Sequence, residues 1–279
     1  MSVQASPRRV APAARMFVAS AAVFVAAAGL SLFLLSEKTS LYFAWTIKPP
    51  VTAAFLGGGY LAVTTALALA LREQDWARIR IGVWVVGTGL TSILIATLLH
   101  LDKFHLNSPV WTAQAWAWTW LALYIVLIPG LIAALWLQRR ETGEEAPPRA
   151  ALDTWLRLGM ALLALVMLVV GLALFTRPDL AASLWPWPLT PLTARMIGAF
   201  YIGFAVSLVV AAKENDYTRT YVAAAAYIVF AILQGVTFMR YPAVSWMEPA
   251  GLLLAGVLAA LLVIGVTSLR GHLIHNQKS

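Results

Sequence analysis

The sequence contains no cysteine and few charged residues. None of its 279 residues is Cys, and 11% are Asp, Glu, Lys or Arg, against about 25% in ordinary soluble domains. The absence of cysteine excludes disulfide bonds, thiolate metal ligands and cysteine nucleophiles. The low charge, with 61% hydrophobic residues and a mean hydropathy of +0.79, is typical of a protein embedded in a membrane.

Ionisable side chains are also scarce inside the hydrophobic runs. No Asp, Glu, His or Lys lies near the centre of any run, and such residues mark proton relays, ion pathways and counter-ions in membranes. Their absence argues against a proton pump, a carboxylate-coupled transporter and a voltage sensor. P-loop, dinucleotide-binding, zinc-protease and nucleophile-elbow motifs are missing too. We therefore expect a non-enzymatic protein with no catalytic residues, no metal site and no obligatory cofactor.

Eight hydrophobic runs are long enough to cross a membrane as helices, which takes about 20 residues each. They lie at residues 15–36, 50–71, 80–100, 112–137, 154–176, 193–212, 220–240 and 249–269. Open strands cannot span a membrane, because lipid offers no hydrogen-bond partner to the backbone. The predicted fold class is an all-α integral membrane protein with eight transmembrane helices.

The chain carries an internal repeat. "YFAWTIKPPVTAAFLGGGY" at 42–60 resembles "SLWPWPLTPLTARMIGAFY" at 183–201, and with an offset of 141 residues nine of the 27 positions in 52–78 recur identically. The identities continue into the polar turns "REQDWAR" and "KENDYTR", where apolar composition cannot explain them. We predict two parallel four-helix repeats, related by a pseudo-two-fold axis along the membrane normal. The predicted divisions are a tail at 1–14, repeats at 15–137 and 153–270, a linker at 138–152 and a tail at 271–279.

The distribution of Lys and Arg predicts the orientation. With the N-terminus in the cytoplasm, fourteen basic residues lie inside and six outside, as the positive-inside rule expects. Both tails and the linker are then cytoplasmic. Arg outnumbers Lys fifteen to five and Ala is abundant, which indicates a GC-rich bacterial genome and hence a bacterial inner membrane. The net charge of +8 fits contact with anionic lipid, and no basic cluster indicates nucleic-acid binding.

Each copy of the repeated phrase places small residues on one helix face. Small residues four apart let a neighbouring helix approach closely, and a Pro- and Trp-containing segment precedes each pair. We expect this segment to end at Thr52 or Thr193 as a helix cap. The predicted helix-packing residues are Ala53, Gly57, Ala194 and Gly198.

The fourth run begins with a stripe of aromatic residues. Trp116, Trp120 and Tyr124 recur every four residues, on one helix face, and the eighth run has no such stripe. A deep aromatic stripe can line a groove for a flat lipophile such as a quinone, a carotenoid or a lipid, or it can face lipid or fill a core. The candidate ligand-binding residues are Trp45, Tyr60, Trp116, Trp120, Tyr124, Trp187, Arg195 and Tyr201.

Three functions follow as alternatives. The first is the binding or movement of a lipophilic small molecule or lipid near the outer leaflet, with membrane lipids as partners. The second is a structural or accessory subunit that packs against other membrane subunits. The third, an enzyme at the outer face, needs loop residues to converge; the candidates are Glu37, His100, Asp102, His105, Asp179 and Glu248. The sequence leaves open whether His100 and His105 bind a metal.

Overall fold

Eight long helices dominate the computed structural model, which describes residues 7–145 and 147–276. They are Pro12–Leu34 (α1), Pro50–Ala70 (α2), Trp76–Leu98 (α3), Trp111–Gln138 (α4), Thr154–Thr176 (α5), Pro191–Glu214 (α6), Tyr217–Arg240 (α7) and Pro249–Asn276 (α8). Each is long and apolar enough to cross a membrane. The predicted all-α membrane class and the number of spans are confirmed. Several ends differ from the prediction: α3 begins four residues earlier, and α8 continues six residues into the predicted tail.

Two ends of the bundle can be told apart by their connections. The terminal end carries residues 7–11, the turns at 71–75 and 215–216, the segment 139–153 and the C-terminal end of α8. The distal end carries the segments 35–49, 99–110, 177–190 and 241–248. The distal segments contain short helical turns, Thr39–Tyr42 and Pro178–Ala182 among them.

Proline sets the starts of α2 and α6, and the expected caps were wrong. The Thr190 side chain caps α6, and the Thr193 hydroxyl in turn accepts a hydrogen bond of 2.9 Å from the Thr190 N–H, which makes a reciprocal capping box. Helix α2 begins at Pro50 without a side-chain cap, and Thr52 lies inside it. Proline suits the first helical position, because its φ is already helical and its missing N–H is not needed. The helices therefore start two residues before each threonine.

Glycine brings two pairs of helices into backbone contact. A Cβ added at Gly57 of α2 would lie 2.5 Å from the backbone nitrogen of Phe33 in α1. A Cβ added at Gly198 of α6 would lie 2.7 Å from the carbonyl oxygen of Gly171 in α5. Because both distances are far below van der Waals contact, only glycine allows these crossings. Ala53 and Ala194 are fully buried one turn away on the same helices.

The two halves of the chain contact each other reciprocally. Helix α3 packs on α6, and α7 packs on α2. At the terminal end the Arg80 guanidinium of α3 donates two hydrogen bonds of 2.6 Å to Glu214 at the end of α6. The Tyr221 hydroxyl of α7 donates to the Glu73 carboxylate in the turn after α2. An offset of 141 residues relates each of these contacts to the other.

The segments at the terminal end are tied together through their backbones. Trp76 N–H donates to the Arg8 carbonyl at 3.0 Å, and Tyr217 N–H donates to the Ala150 carbonyl at 2.9 Å. The buried amide of Gln138 donates to the Arg9 carbonyl. Residues 7–11, 139–145 and 147–153 thus lie against the ends of the helices.

Helix α8 packs closely on α7, but α4 stands apart from α3. A Cβ added at Gly265 would lie 2.9 Å from the Ala224 carbonyl oxygen of α7. The glycines of α3 have no such neighbour: a Cβ at Gly82 or Gly89 would meet no described atom within 4 Å. The two halves therefore differ in the spacing of their last two helices.

We expect Gly57→Leu and Gly198→Leu each to destabilise the protein. The new side chain would meet backbone atoms that cannot turn away, and overpacking typically costs about 1–3 kcal/mol. Both variants should melt at lower temperature in detergent. Gly159→Leu is the matched control, because a Cβ there meets no described atom within 4 Å; parental melting of the two crossing variants would contradict the assignment.

Candidate functional site

Trp45 and Trp120 lie in a packed aromatic cluster at the distal end. Their ring centroids are 5.1 Å apart in an edge-to-face arrangement, and both rings are buried. Phe43 contacts both of them and also the half-buried Trp116. The Trp120 indole donates a hydrogen bond of 3.1 Å to the Thr97 hydroxyl. These rings fill the space between the 35–49 segment and α4.

Trp187 and Tyr201 lie in a second distal cluster. The Trp187 indole donates a hydrogen bond of 2.9 Å to the buried Thr52 hydroxyl of α2, and its ring packs edge-on against Phe55 at 5.5 Å. Tyr201 is fully buried and packs against Trp185. This cluster connects the second half of the chain to α2.

Tyr60 and Tyr124 are the candidate residues that meet an empty space. Their hydroxyl oxygens are 3.5 Å apart, at the limit of a hydrogen bond. Tyr60 packs edge-on against Phe200 of α6, and Tyr124 packs against Trp120. Both side chains line a cavity on the terminal side of the first aromatic cluster.

The cavity lies within the membrane-spanning part of the bundle and has a volume of about 190 Å³. Its walls come from residues 14–25 of α1, 60–70 of α2, 76–93 of α3, 124–135 of α4, 199–207 of α6 and 222–227 of α7. Most of these residues belong to the terminal half of the bundle, and those of α3 and α6 reach past its middle. The walls are mainly apolar, and the polar exceptions are Tyr60, Arg78, Tyr124, Ser207 and Tyr227.

A second pair of hydroxyls also lines this cavity. The Ser207 and Tyr227 oxygens are 2.6 Å apart and buried. The sequence analysis missed this pair and the α3 glycines. The third span contains three glycines in "GVWVVGTGL", but glycine in a membrane helix usually indicates close packing, so the sequence contained no signal for a void.

An open groove lies on the outer side of the same gap. It runs between α3 and α4 and has a volume of about 770 Å³. Five residues line both the groove and the cavity: Trp76, Val83, Leu90, Leu131 and Leu135. Only this layer of side chains therefore separates the cavity from the lipid side of the helices.

Arg195 contacts His100 at the distal end instead of a ligand pocket. The Arg195 Nη1 donates a hydrogen bond of 2.6 Å to the His100 Nε2, which must be unprotonated to accept it. Partial burial of the imidazole lowers the pKa of His100, and the nearby Arg195 charge lowers it further. Neutral His100 thus holds the end of α3 against the start of α6.

His105, Asp102 and Glu37 each have a separate partner, and Asp179 and Glu248 lie in other distal segments. The His105 ring nitrogens lie 3.0 Å from the Thr46 hydroxyl and 3.0 Å from the Phe43 carbonyl. Asp102 pairs with its neighbour Lys103, and Glu37 accepts a hydrogen bond from the Tyr241 hydroxyl. Within residues 7–145 and 147–276, no three His, Asp or Glu side chains are grouped so as to hold a metal ion.

Comparisons with known proteins give no match: no family model, no curated protein and no solved structure is similar to this chain.

We expect acid to destabilise the His100–Arg195 contact. The pKa of folded His100 is lowered. The contact therefore contributes its full stability above about pH 6.5, the pKa of an unfolded histidine, and this stability is lost as the pH falls from there through the lower pKa of the folded protein. Melting temperatures in detergent between pH 8 and pH 5 should fall more for the parent than for His100→Gln, which keeps an acceptor but does not titrate. Parallel curves for the two proteins would refute this.

Proposed function

We propose that the protein binds or moves a lipophilic small molecule or lipid. The observation that carries this proposal is the apolar cavity of about 190 Å³ inside the membrane-spanning bundle, next to the gap between α3 and α4. Well-packed interiors contain few voids larger than a water molecule, and an apolar cavity of about 150 Å³ is enough to take up benzene. A space of this size and lining suits hydrocarbon.

The size of the cavity restricts what lies inside it. Pockets that enclose a whole drug-sized ligand measure about 300–1,000 Å³, so this one holds a ring or a stretch of chain. The remainder of a longer molecule would pass between α3 and α4, where a single layer of side chains separates the cavity from the groove. A ligand that enters sideways from the membrane fits this arrangement.

The hydroxyl pairs favour a ligand with one or two oxygen atoms. Tyr60 and Tyr124 are only weakly bonded to each other at 3.5 Å, so one hydroxyl can turn to donate to a ligand. The Ser207 and Tyr227 pair is shorter and satisfied. A quinone carbonyl, a carotenoid hydroxyl and a lipid ester oxygen all accept such a bond, and an apolar body fits the remaining walls.

The proposed depth differs from the sequence-based expectation of a site near the outer leaflet. The distal aromatic clusters are filled by their own side chains, whereas the cavity lies mainly in the terminal half of the bundle. With the terminal end in the cytoplasm of a bacterium, as the Lys and Arg distribution favours, the ligand would lie in the inner leaflet.

We also propose that the bundle consists of two parallel four-helix repeats. The close crossings at Gly57 and Gly198 and the bonds that Glu73 and Glu214 receive from the other half support it. A Cβ at Gly198 also lies 3.0 Å from the Phe175 backbone nitrogen, and Phe175 is the counterpart of Phe33 when "GLSLF" at 29–33 is aligned with "GLALF" at 171–175. The two glutamate contacts are related by the offset of 141 residues. The spacing of α3 and α4 departs from this symmetry, and the cavity lies where it does.

We expect Gly89→Leu to remove the bound lipophile. The α3 glycine lines the cavity, and a Cβ there meets no described atom within 4 Å, so a leucine side chain would occupy ligand space without strain. Mass spectrometry of solvent extracts should find a lipophile retained by gently purified parent and lost from Gly89→Leu. Gly256→Leu is the control, because Gly256 is an exposed α8 glycine with equally open surroundings.

Two results would contradict the lipophile proposal. One is a parent protein that carries no lipophile after gentle extraction, which would favour the accessory-subunit alternative. The other is equal retention by Gly89→Leu and the parent at equal melting temperature.

The lack of cysteine allows a direct test of sidedness. Ser183 lies exposed in the distal segment 177–190, and Thr142 lies exposed in the terminal segment 139–153. If the terminal end is cytoplasmic, a membrane-impermeant maleimide should label Ser183→Cys in intact cells. It should label Thr142→Cys only after permeabilisation, and the reverse pattern would invert the orientation.

A further inference from the structure

The groove between α3 and α4 has basic side chains at its terminal end. Arg8, Arg80 and Arg139 line it there, and no Asp or Glu is among the described residues of its walls. We propose that this groove binds an anionic phospholipid, with the phosphate held by Arg8 and Arg139 and an acyl chain lying between the helices. This site faces the surrounding lipid and does not require a ligand in the inner cavity.

The charges of the three arginines are not equally available. Arg80 is neutralised by Glu214, to which it donates two bonds of 2.6 Å, and by Glu145. Arg8 donates through Nε to the Glu141 carbonyl at 3.1 Å, which is an uncharged acceptor. Neither Arg8 nor Arg139 forms an ion pair with any carboxylate in the described part of the chain. Two guanidinium groups therefore remain without a counter-charge at the mouth.

The groove is long enough for the acyl chain of one lipid leaflet. Its α3 wall runs from residue 76 to residue 92, about 24 Å at roughly 1.5 Å per residue. Half of the roughly 30 Å hydrocarbon core is about 15 Å. A phosphate at the level of Arg139, just beyond the end of α4, would place an acyl chain along this wall.

The groove is basic at one end and mainly apolar along its length, just as a phospholipid is anionic at its headgroup and apolar along its acyl chains. Trp84, Ile128 and Ile132 belong to its apolar walls, and the basic residues are confined to the terminal end. Thr88, Thr91 and Ser92 add hydroxyl groups farther along α3. A guanidinium group offers several N–H donors in a planar arrangement that matches phosphate oxygens. Basic pockets between transmembrane helices on the cytoplasmic side recognise phospholipid headgroups in this manner.

Arg140 provides a matched control for Arg139. Its guanidinium lies 3.6 Å over the Trp136 ring, and it does not line the groove. The two residues are adjacent and equally charged, so an effect confined to Arg139 reports the site and not the overall charge of this surface.

The test measures lipid preference with delipidated full-length protein in detergent. Native mass spectrometry would compare the binding of phosphatidylglycerol and phosphatidylcholine with matched acyl chains. The parent should prefer phosphatidylglycerol, and Arg8→Gln/Arg139→Gln should weaken its binding roughly 30-fold, at about 1 kcal/mol for each arginine. Arg140→Gln should retain the preference. If the double variant does not fold, Arg139→Gln alone serves, because no bond of its side chain to another described residue is lost.

Several outcomes would overturn the proposal. They are the absence of a headgroup preference in the parent, an equal loss of binding in Arg140→Gln, and full displacement of the lipid by soluble glycerol phosphate, which would make the site one for a small phosphate. Gly89→Leu should keep the phosphatidylglycerol preference, since it fills the inner cavity only. Loss of the lipophile in that variant with retention of this preference separates the two proposals.

Discussion

Contact between helix backbones at Gly57 and Gly198 determines how the rest of the bundle assembles. Lipid is as apolar as the helix surfaces, so helices in a membrane associate through close packing more than through the hydrophobic effect. At each glycine one helix reaches the main chain of its neighbour, which brings the most atoms into dispersion contact. These crossings place α2 and α6 at the centre, where they are the two most buried spans.

The interlocking of the two halves follows from this central pair. Helix α3 packs on α6 and α7 packs on α2, so neither half completes its core alone. The charged turns strengthen the arrangement, because Glu214 accepts from Arg80 of the other half and from Arg219 of its own. Removing one member of such a network leaves a partly buried charge without a partner.

The wide spacing of α3 and α4, compared with that of α7 and α8, creates the space where we place function. Helix α8 has Gly265 and Gly271 against α7, and the two helices close upon each other. Helix α4 presents larger side chains toward α3, with Leu131 the nearest neighbour of Gly87. Gly82 and Gly89 of α3 have no described atom within 4 Å of an added Cβ. A cavity on one side of this gap and a basic-ended groove on the other result from the same separation.

The sequence by itself determined the membrane class, the number of helices and the small residues that close crossings require. These properties depend on composition and on local spacing. The thickness of a membrane sets how long each apolar run must be, and the pitch of a helix sets which residues share a face. Helix starts were less predictable. Helix α6 begins at Pro191 behind Thr190, two residues before the predicted hydrophobic run, because proline favours the first position of a helix.

Only the tertiary structure decided which aromatic residues face a void. Trp120 and Tyr124 belong to one stripe, yet Trp120 packs against Trp45 while Tyr124 reaches the cavity. The difference arises from the 35–49 segment, which lies against one part of α4 and not the other. Arg8 and Arg139 are 131 positions apart in the chain and meet one groove because residues 7–11 fold back on the end of α4. Such placements depend on which helices become neighbours, and the spacing of residues along the chain does not indicate which helices these are.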